Sequence, residues 1–498
     1  MSLTRPAELF AREQEWADLS DLACDTRPGV HLGIVSGRRR QGKSFLLRAV
    51  CRASGGIYHQ ALELERAQAL AWFADDVARA LSLPSGTLTF PDWDVALRTA
   101  LGYPRRGDVS SPVPDQHRVL VLDELPYLLA NSPEIPSVLQ AIIDEAASAG
   151  LPSRCVIVCG SSLSVMTGLL SGAKPLRGRA QLDMMIKPFG YQLAAQYWDI
   201  SDPVVALHVD AVLGGTAGYR PLIEQPPPST MRAFGPWLAR SALNPAHALF
   251  YEKDYLLRED PRITDKQLYN SILSAVAGGA HTRSQIGRAV SRGSNQLQHP
   301  LEVLLSAGFL ERAQDALTQK RSTYSIADPI IRFNEVVIAP HGVLLEQRDA
   351  QVALAAAQDA FRSQILGPHF ERLSREWAKD PARSWPEPVG VVGTTVVNDA
   401  QGRAQHELDV VALRRGDAAG QKTAHVVVLG EAKSGERVRT LSDLTRLQKI
   451  QELLDLRGTD VADAVLTLFG RSGFDDKLRA AATKSPNVLL VDLAELYQ

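Results

Sequence analysis

Cysteine is scarce in this sequence, and long apolar runs are missing. The 498 residues include only four cysteines, which are too few for a disulfide framework. We therefore expect Cys24, Cys51, Cys155 and Cys159 to be reduced thiols of a cytosolic protein. No apolar run approaches the roughly 20 residues that a membrane span requires, and the first ten residues lack the apolar core of a signal peptide. We expect a soluble, cytoplasmic chain with no membrane partner.

A strong charge of either sign is also missing. The formal net charge is −2, which excludes a globally basic nucleic-acid binder, so that any contact with DNA must come from a local patch. Hydrophobic residues make up 45% of the chain and charged residues 22%, as in ordinary globular proteins. At roughly 150 residues per domain, the length predicts about three domains.

The most specific motif in the sequence is a phosphate-binding loop. It matches G-x-x-x-x-G-K-[ST] and consists of Gly37, Arg38, Arg39, Arg40, Gln41, Gly42, Lys43 and Ser44. A predicted buried strand at 30–36 precedes it, and a predicted helix follows from residue 45. This strand–turn–helix context directs backbone N–H groups at a phosphate, with Lys43 at the β- and γ-phosphates and Ser44 as a ligand of Mg²⁺. The alternative is a glycine-rich turn without a ligand.

Two further apolar strands end in polar residues. The stretch 118–127 predicts a buried strand that ends at Asp123 and Glu124. In open α/β sheets, ligands bind at the carboxyl ends of the strands. We expect Asp123 to hold Mg²⁺ through water and Glu124 to polarise the attacking water. The strand at 154–162 ends in Ser161 and Ser162, which would contact the γ-phosphate or cap the next helix.

An arginine pair follows this strand, before the apolar segment 182–189. Arg179 is the candidate for completing the active site of a neighbouring subunit in a homo-oligomer, because it would stabilise charge on the transferred phosphoryl group. The alternative is a solvated surface arginine.

The order of these motifs resembles the AAA+/STAND class and, more narrowly, the archaeal-type P-loop ATPase family. The resemblance covers nearly the whole chain and is carried by Phe10, Arg12, Glu13, the phosphate loop, 123–127, 160–166, 176–179 and 214–219. It implies an α/β, P-loop ASCE ATPase core with a parallel sheet and a helical lid, a winged-helix domain and a PD-(D/E)xK nuclease-like α/β domain. Two positions depart from the family pattern: Ala217 replaces a proline, and Arg220 replaces an aliphatic residue.

The segment that follows the lid has the pattern of a winged helix. Helices are predicted at 268–277, 282–290 and 294–307, and short strands at 309–312 and 322–327. Asn295, Gln296, Gln298 and His299 would lie at the start of the recognition helix. The local basic surface would come from Arg283, Arg288, Arg292, Lys320 and Arg321. Such modules also serve as protein–protein spacers, which is the alternative.

The last part of the sequence contains an Asp…Glu-x-Lys pattern on predicted strands. From residue 361 the pattern predicts helix, three strands, helix, strand, helix, strand. Asp409 and Glu431 would share a divalent metal, Mg²⁺ or Mn²⁺, and Lys433, on the face of Glu431, would orient the attacking water. Glu371 and Glu407 are auxiliary candidates. The alternative is a nuclease fold that binds without cutting.

These observations predict four segments and one combined activity. The segments are a P-loop core at 1–190, a lid at 191–260, a winged helix at 261–345 and a nuclease-like domain at 346–498. We expect a protein that binds and hydrolyses ATP, binds nucleic acid, with DNA as the expected form, and cleaves it with a metal-dependent site. The competing interpretations are an ATP-gated regulator that does not cut, and a self-assembling signalling ATPase.

Overall fold

A computed structural model describes residues 3–104, 119–318, 322–399, 402–421 and 423–498. The chain divides into two compact units. Unit 1 comprises Met1–Pro188 and Arg258–Pro261, and unit 2 comprises Phe189–Leu257 and Arg262–Gln498. In the described ranges, no helix is both long and apolar enough to cross a membrane. Of the predicted residues, Arg118, Lys320 and Arg321 lie outside the described ranges.

Unit 1 alternates strands and helices. Its elements are α1 (Glu13–Ala23), β1 (Val30–Ser36), α2 (Lys43–Ser54), β2 (Ile57–Gln60), α3 (Arg66–Ala80), α4 (Trp93–Leu101), β3 (Val119–Asp123), α5 (Leu125–Asn131), α6 (Ile135–Ser148), β4 (Arg154–Gly160), α7 (Leu163–Gly168) and β5 (Ala180–Met185).

The strands of unit 1 form a five-stranded sheet in the order β2-β3-β4-β1-β5, and all pairs are parallel. Every residue of β1, β3 and β4 is buried, as the apolar runs predict for a sheet that is covered on both faces. One face packs mainly against α3, α4 and α6, and the other packs against α1 and α2. The predicted α/β fold with a parallel sheet is confirmed.

The first half of unit 2 is helical. It contains α8 (Tyr191–Tyr197), α9 (Pro203–Leu213), α10 (Met231–Arg240), α11 (Glu252–Arg258), α12 (Lys266–Ala277), α13 (Arg283–Ala289) and α14 (Gln298–Ser306), with 3₁₀ turns at Ala217–Leu222, Ala248–Tyr251 and Ser294–Leu297. The antiparallel pair β6 (Leu310–Gln314) and β7 (Ser322–Ile326) follows. The helices and strands predicted at 268–327 are therefore present in the expected order. Asn295, Gln296, Gln298 and His299 are exposed.

A helical connection leads to the second sheet. It contains α15 (Pro329–Phe333), a π-helical segment (Asn334–Ile338), a 3₁₀ turn (Ala339–His341), α16 (Gly342–Glu346), α17 (Ala350–Ala360), a second π-helical segment (Phe361–Leu366) and α18 (Gly367–Lys379). The remaining elements are β8 (Val389–Asp399), β9 (Ala404–Arg414), β10 (Val426–Lys433), α19 (Leu441–Asp455), β11 (Val465–Gly470), α20 (Asp476–Lys484), β12 (Val488–Asp492) and α21 (Leu493–Leu496).

The second sheet is mixed. Its order is β12-β11-β10-β9-β8, with parallel pairs from β10 to β12 and antiparallel pairs from β8 to β10. The predicted order of helix, three strands, helix, strand, helix, strand is confirmed. Asp409 lies on β9, next to the strand that carries Glu431 and Lys433, as predicted.

The consecutive glycines Gly214 and Gly215 end α9 at a point where two backbones come close together. Phe189 N–H donates a hydrogen bond of 2.9 Å to the carbonyl of Gly215. A Cβ on Gly215 would overlap the carbonyl oxygen of Phe189 and would lie 2.7 Å from that residue's backbone N and C. Backbone atoms cannot move aside as a flexible side chain can, so this contact requires glycine.

Gly215→Ala is therefore expected to lower the free energy of unfolding of unit 2 by about 3 kcal/mol or more, at the upper end of what overpacking costs. Gly342→Ala is the matched control, because a Cβ there meets no atom within 4 Å. Thermal and denaturant unfolding of both variants measures the effect. Equal stability of the two variants would contradict this account of the close approach.

Candidate functional site

The phosphate loop joins β1 to the start of α2. Gly37 has φ 150°, and a Cβ there would lie 2.6 Å from the carbonyl oxygen of Ile186, so the loop requires glycine at this position. Gly42, with φ 92°, is the N-cap residue of α2 and has no side chain with which to cap this helix start. The first N–H groups of a helix have no partner within the helix, and such a helix start suits a phosphate.

Lys43 is buried beneath the loop. Its Nζ donates to the carbonyls of Gly37, at 2.6 Å, and of Arg38, at 2.9 Å. Gln41 closes the loop from inside, because its Oε1 accepts a hydrogen bond from Arg38 N–H at 2.8 Å. Ser44 lies in the first turn of α2 and is half-buried. The predicted loop residues are thus brought together around one cationic side chain.

Two arginines, one outside the phosphate loop and one within it, form hydrogen bonds and ion pairs with neighbouring segments. Arg12 donates to the carbonyls of Lys187, at 2.5 Å, and of Gln41, at 3.4 Å, and forms an ion pair with Glu15. Arg39, in the loop itself, pairs with Glu259 at 2.8 Å. Burial raises the pKa of Glu259, and the guanidinium of Arg39 opposes that rise. Arg12 is among the residues that carry the family resemblance, but its contacts with the loop were not predicted from the sequence.

Asp123 and Glu124 lie where the sequence predicted, at the end of β3. Asp123 is fully buried, and its Oδ1 accepts the N–H of Glu124 at 2.9 Å. Its Oδ2 accepts a hydrogen bond from the hydroxyl of Tyr58 on the neighbouring strand β2. Burial and the Asp123 carboxylate both raise the pKa of Tyr58, so this hydroxyl remains a donor. Tyr58 was not predicted from the sequence. The only feature that could have indicated it is a polar group on the strand next to β3.

Ser161 contacts the predicted catalytic base. Its hydroxyl and its N–H donate to Oε2 of Glu124 at 3.1 and 3.3 Å. Glu124 itself has φ 54°, a left-handed conformation that a glutamate rarely adopts and that the surrounding structure must stabilise. Ser162 is buried and lies at the N-cap position of α7. Thus Ser161 and Glu124 are brought together at the ends of β4 and β3.

Arg179 is held within its own chain. Its Nε and Nη2 donate to the two carboxylate oxygens of Asp144 on α6, each at 2.8 Å. This bidentate pair raises the pKa of Arg179 and lowers the pKa of Asp144. A role across a subunit interface would require Arg179 to exchange this partner, and that role stays a prediction. In unit 2, Arg220 stacks on the ring of Tyr197, 5.0 Å from its centroid.

The second predicted site lies in unit 2, where the end of β10 lies beside the middle of β9. Asp409 is buried, and its Oδ2 accepts the N–H of Ala432 at 2.8 Å. Glu371, on α18, has its pKa raised to about 7 by burial, with a further contribution from the charge of Asp409. Burial also raises the pKa of Asp409. Lys433 is exposed, and its charge partly offsets both shifts.

Glu431 has two cationic neighbours that the sequence analysis did not identify. Arg439 lies 3.2 Å from its Oε2, and Arg446 lies 3.3 Å from its Oε1. Burial still raises the pKa of Glu431. Among the described residues, no group of three or more His, Cys, Asp and Glu side chains is arranged to hold a metal ion. A divalent ion held by Asp409 and Glu431 would have to compete with these two arginines for Glu431.

Comparisons with known proteins give distant similarities. No protein-family model matches the chain. An uncharacterised protein of Methanocaldococcus jannaschii is 23% identical over 348 residues, which cover 69% of this chain and 72% of that protein. A Walker-type ATPase of Pyrococcus abyssi matches with a TM-score of 0.47 and 20% identity, over 67% of this chain and 98% of the other. The ORC2 protein of Aeropyrum pernix, in ADPNP–ADP complexes, matches with a TM-score of 0.38 and 15% identity, over 71% and 97% of the two chains.

The raised pKa of Glu371 makes unit 2 sensitive to pH. The folded state binds this proton more tightly than the unfolded state, whose pKa is near 4.5, so stability falls as pH rises from 4.5 towards about 7. Glu371→Gln removes the buried charge and is expected to stabilise the protein by about 1–2 kcal/mol at pH 8, with little effect at pH 4.5. Thermal midpoints measured at both pH values test this.

The exposed Glu346 provides the matched control for this measurement, because Glu346→Gln changes the same charge outside the cluster. The control is expected to show no growing advantage between the two pH values. A Glu371→Gln protein whose stability gain is the same at pH 4.5 and pH 8 would show that Glu371 is not the group responsible.

Proposed function

We propose that unit 1 binds ATP with Mg²⁺ and hydrolyses it. The observation that carries this proposal is the meeting of Lys43, Asp123, Glu124 and Ser161 at the carboxyl ends of three adjacent parallel strands, β1, β3 and β4. Ligands bind at this edge in open α/β sheets. The donor set fits the ligand: backbone N–H groups and an ammonium for phosphate oxygens, and a carboxylate and a hydroxyl for Mg²⁺.

In this proposal each side chain has a distinct role. Lys43 moves from the carbonyls of Gly37 and Arg38 to the β- and γ-phosphates, and its charge offsets theirs. Ser44, and Asp123 through water, would hold Mg²⁺, which would supply charge neutralisation on the phosphates. Glu124 accepts the proton of the attacking water, and Ser161 keeps the carboxylate of Glu124 oriented until the γ-phosphate competes for the serine hydroxyl.

Lys43→Ala is expected to abolish ATP hydrolysis and to weaken ATP binding, because it removes the charge that faces the phosphates. Glu124→Gln is expected to bind ATP normally but to hydrolyse it at least about 100-fold more slowly, because only proton transfer is lost. Lys174→Ala, at an exposed lysine of the same unit, is the control. Nucleotide binding and phosphate release are measured in parallel, and a wild-type rate for Glu124→Gln would refute its assignment as the base.

We further propose that unit 2 binds nucleic acid and cleaves it with a divalent metal. The first support is the series α12, α13, α14, β6 and β7, which follows the order of a winged helix, with Asn295, Gln296, Gln298 and His299 exposed where its recognition helix begins. The second is the placement of Asp409 and Glu431 on the neighbouring strands β9 and β10, where burial raises both pKa values, with Glu371 near enough for the charge of Asp409 to raise its pKa as well. Crowded carboxylates repel one another, and a divalent cation would relieve that repulsion.

Metal binding and cleavage can be separated by substitution. Lys433→Ala is expected to retain metal binding and lose cleavage, because lysine orients water, whereas Asp409→Ala is expected to lose both. Arg446→Met removes a competitor of the cation at Glu431 and is expected to tighten Mn²⁺ binding severalfold. Lys484→Ala is the exposed-lysine control. Calorimetry with Mn²⁺ and cleavage assays on DNA and RNA measure these effects.

The alternatives are distinguished by the wild-type protein. If it binds DNA but neither binds Mn²⁺ in unit 2 nor cuts any nucleic acid in the presence or absence of ATP, it is a regulator that does not cut. If it binds no nucleic acid at all, the signalling ATPase is favoured. Retention of ATP hydrolysis by Asp409→Ala would confirm that the two sites are chemically separate.

A further inference from the structure

Unit 2 contains a cavity that the proposed activities do not use. Its volume is about 510 Å³, within the range of roughly 300–1,000 Å³ that is typical of small-molecule sites. Residues of α9, α10 and α17 and both π-helical segments contribute to its wall. π-helical turns are rare and occur frequently at functional sites, because the extra residue shifts side chains out of the regular helical position.

Part of the wall of this cavity is aromatic and uncharged. His208, Phe234 and Phe361 form a cluster of three rings, with centroids 5.4 and 6.2 Å from His208 to the two phenylalanines and 6.2 Å between the phenylalanines. The Nδ1 of His208 lies 2.6 Å from the carbonyl oxygen of Val204 one turn earlier on the same helix. Burial lowers the pKa of His208 to about 4, so the imidazole is neutral near pH 7. This part of the wall therefore offers ring faces and edges without a charge.

Another part of the wall carries a net positive charge. Two arginines, Arg362 and Arg471, line the cavity together with a single carboxylate, Glu436. Arg362 and Glu436 form an exposed ion pair of 2.9 Å, which is worth little because water solvates both partners. Arg471 donates to the carbonyl of Ser434 at 3.0 Å. Burial lowers the pKa of Arg471, the carboxylate of Glu436 opposes this effect, and the charge of Arg362 adds to it. A further anionic group beside Arg471 would stabilise its charged form.

We propose that this cavity binds a small amphipathic anion, with an aromatic body against His208, Phe234 and Phe361 and a carboxylate or phosphate group against Arg471 and Arg362. A neutral apolar ligand would leave the excess charge of the two arginines unopposed, and a cation would be repelled by them. The anionic group takes the place of Glu436 at Arg362. The cavity thus selects for both parts of such a ligand.

The probe for this site is 1-naphthoate. Its affinity for the whole 498-residue chain is measured by isothermal titration calorimetry and compared with the affinities of 1-naphthyl phosphate and of the neutral 1-naphthalenemethanol. Naphthoate is expected to bind at least about tenfold more tightly than the neutral compound. Tighter binding of the phosphate ester than of naphthoate would support the site and would indicate a phosphate group in its natural ligand. Equal binding of naphthoate and the neutral compound, or no binding of either anion, overturns the proposal.

Matched variants locate the binding. Arg471→Met is expected to weaken naphthoate binding at least tenfold, and Glu436→Gln to tighten it severalfold, because the competing carboxylate is gone. Arg232→Met, at an exposed arginine of α10 that does not line the cavity, is expected to have no effect. Binding that is unchanged by Arg471→Met, or weakened equally by Arg232→Met, overturns the assignment to this cavity.

A second pair of variants tests the volume itself. Ala355 is exposed on α17 and lines the cavity, whereas its neighbour Ala356 is exposed but does not line it. Ala355→Phe is expected to abolish naphthoate binding by filling the space, and Ala356→Phe to leave it unchanged, with similar thermal midpoints for both. Equal affinities of the two phenylalanine variants would overturn the proposal, since neither change removes a charged residue.

Discussion

Parallel pairing of β1, β4 and β3 is the constraint on which the candidate ATP site depends. Strands paired in this way end at the same edge of the sheet, so that residues far apart in sequence meet there. The phosphate loop, the Asp123–Glu124 pair and Ser161 are brought together only by this arrangement. Each strand is buried on both faces, which is why each is a largely continuous apolar run.

Much of the fold of unit 1 could be predicted from the sequence, because apolar runs indicate the buried strands and glycines indicate the turns. The contacts between side chains could not be predicted in this way. Tyr58 reaches Asp123, Ser161 reaches Glu124, and Arg179 reaches Asp144 across separations of 65, 37 and 35 residues. Each contact depends on strand order and on rotamers. Motifs at the strand ends indicate which strands lie side by side in the sheet. The side-chain rotamers depend on packing, which the motifs do not show.

In unit 2, too, the helices and strands could be predicted from the sequence, whereas the contacts between side chains could not. The element order, and the placement of Asp409 beside Glu431, followed from strand patterns and turn signals. The raised pKa values did not, since they arise from burial in the folded chain. Nor did the pairing of Glu431 with Arg439 and Arg446, because an arginine before or within a helix has the same sequence signature whether it faces solvent or a carboxylate. This difference decides how readily a cation can bind there.

The four thiols have a consequence for spectroscopy. All are free, and Cys51, Cys155 and Cys159 are buried, with Cys155 and Cys159 inside β4. Burial raises the pKa of all three, that of Cys51 to about 12, so almost none of each is present as the reactive thiolate at neutral pH. Maleimide dyes should therefore attach to Cys24 alone. Replacing Cys24 by serine would remove this reactive thiol. Two surface cysteines could then be introduced, one in each unit, and labelled with dyes. Fluorescence transfer between the dyes would report the distance between them with and without ATP.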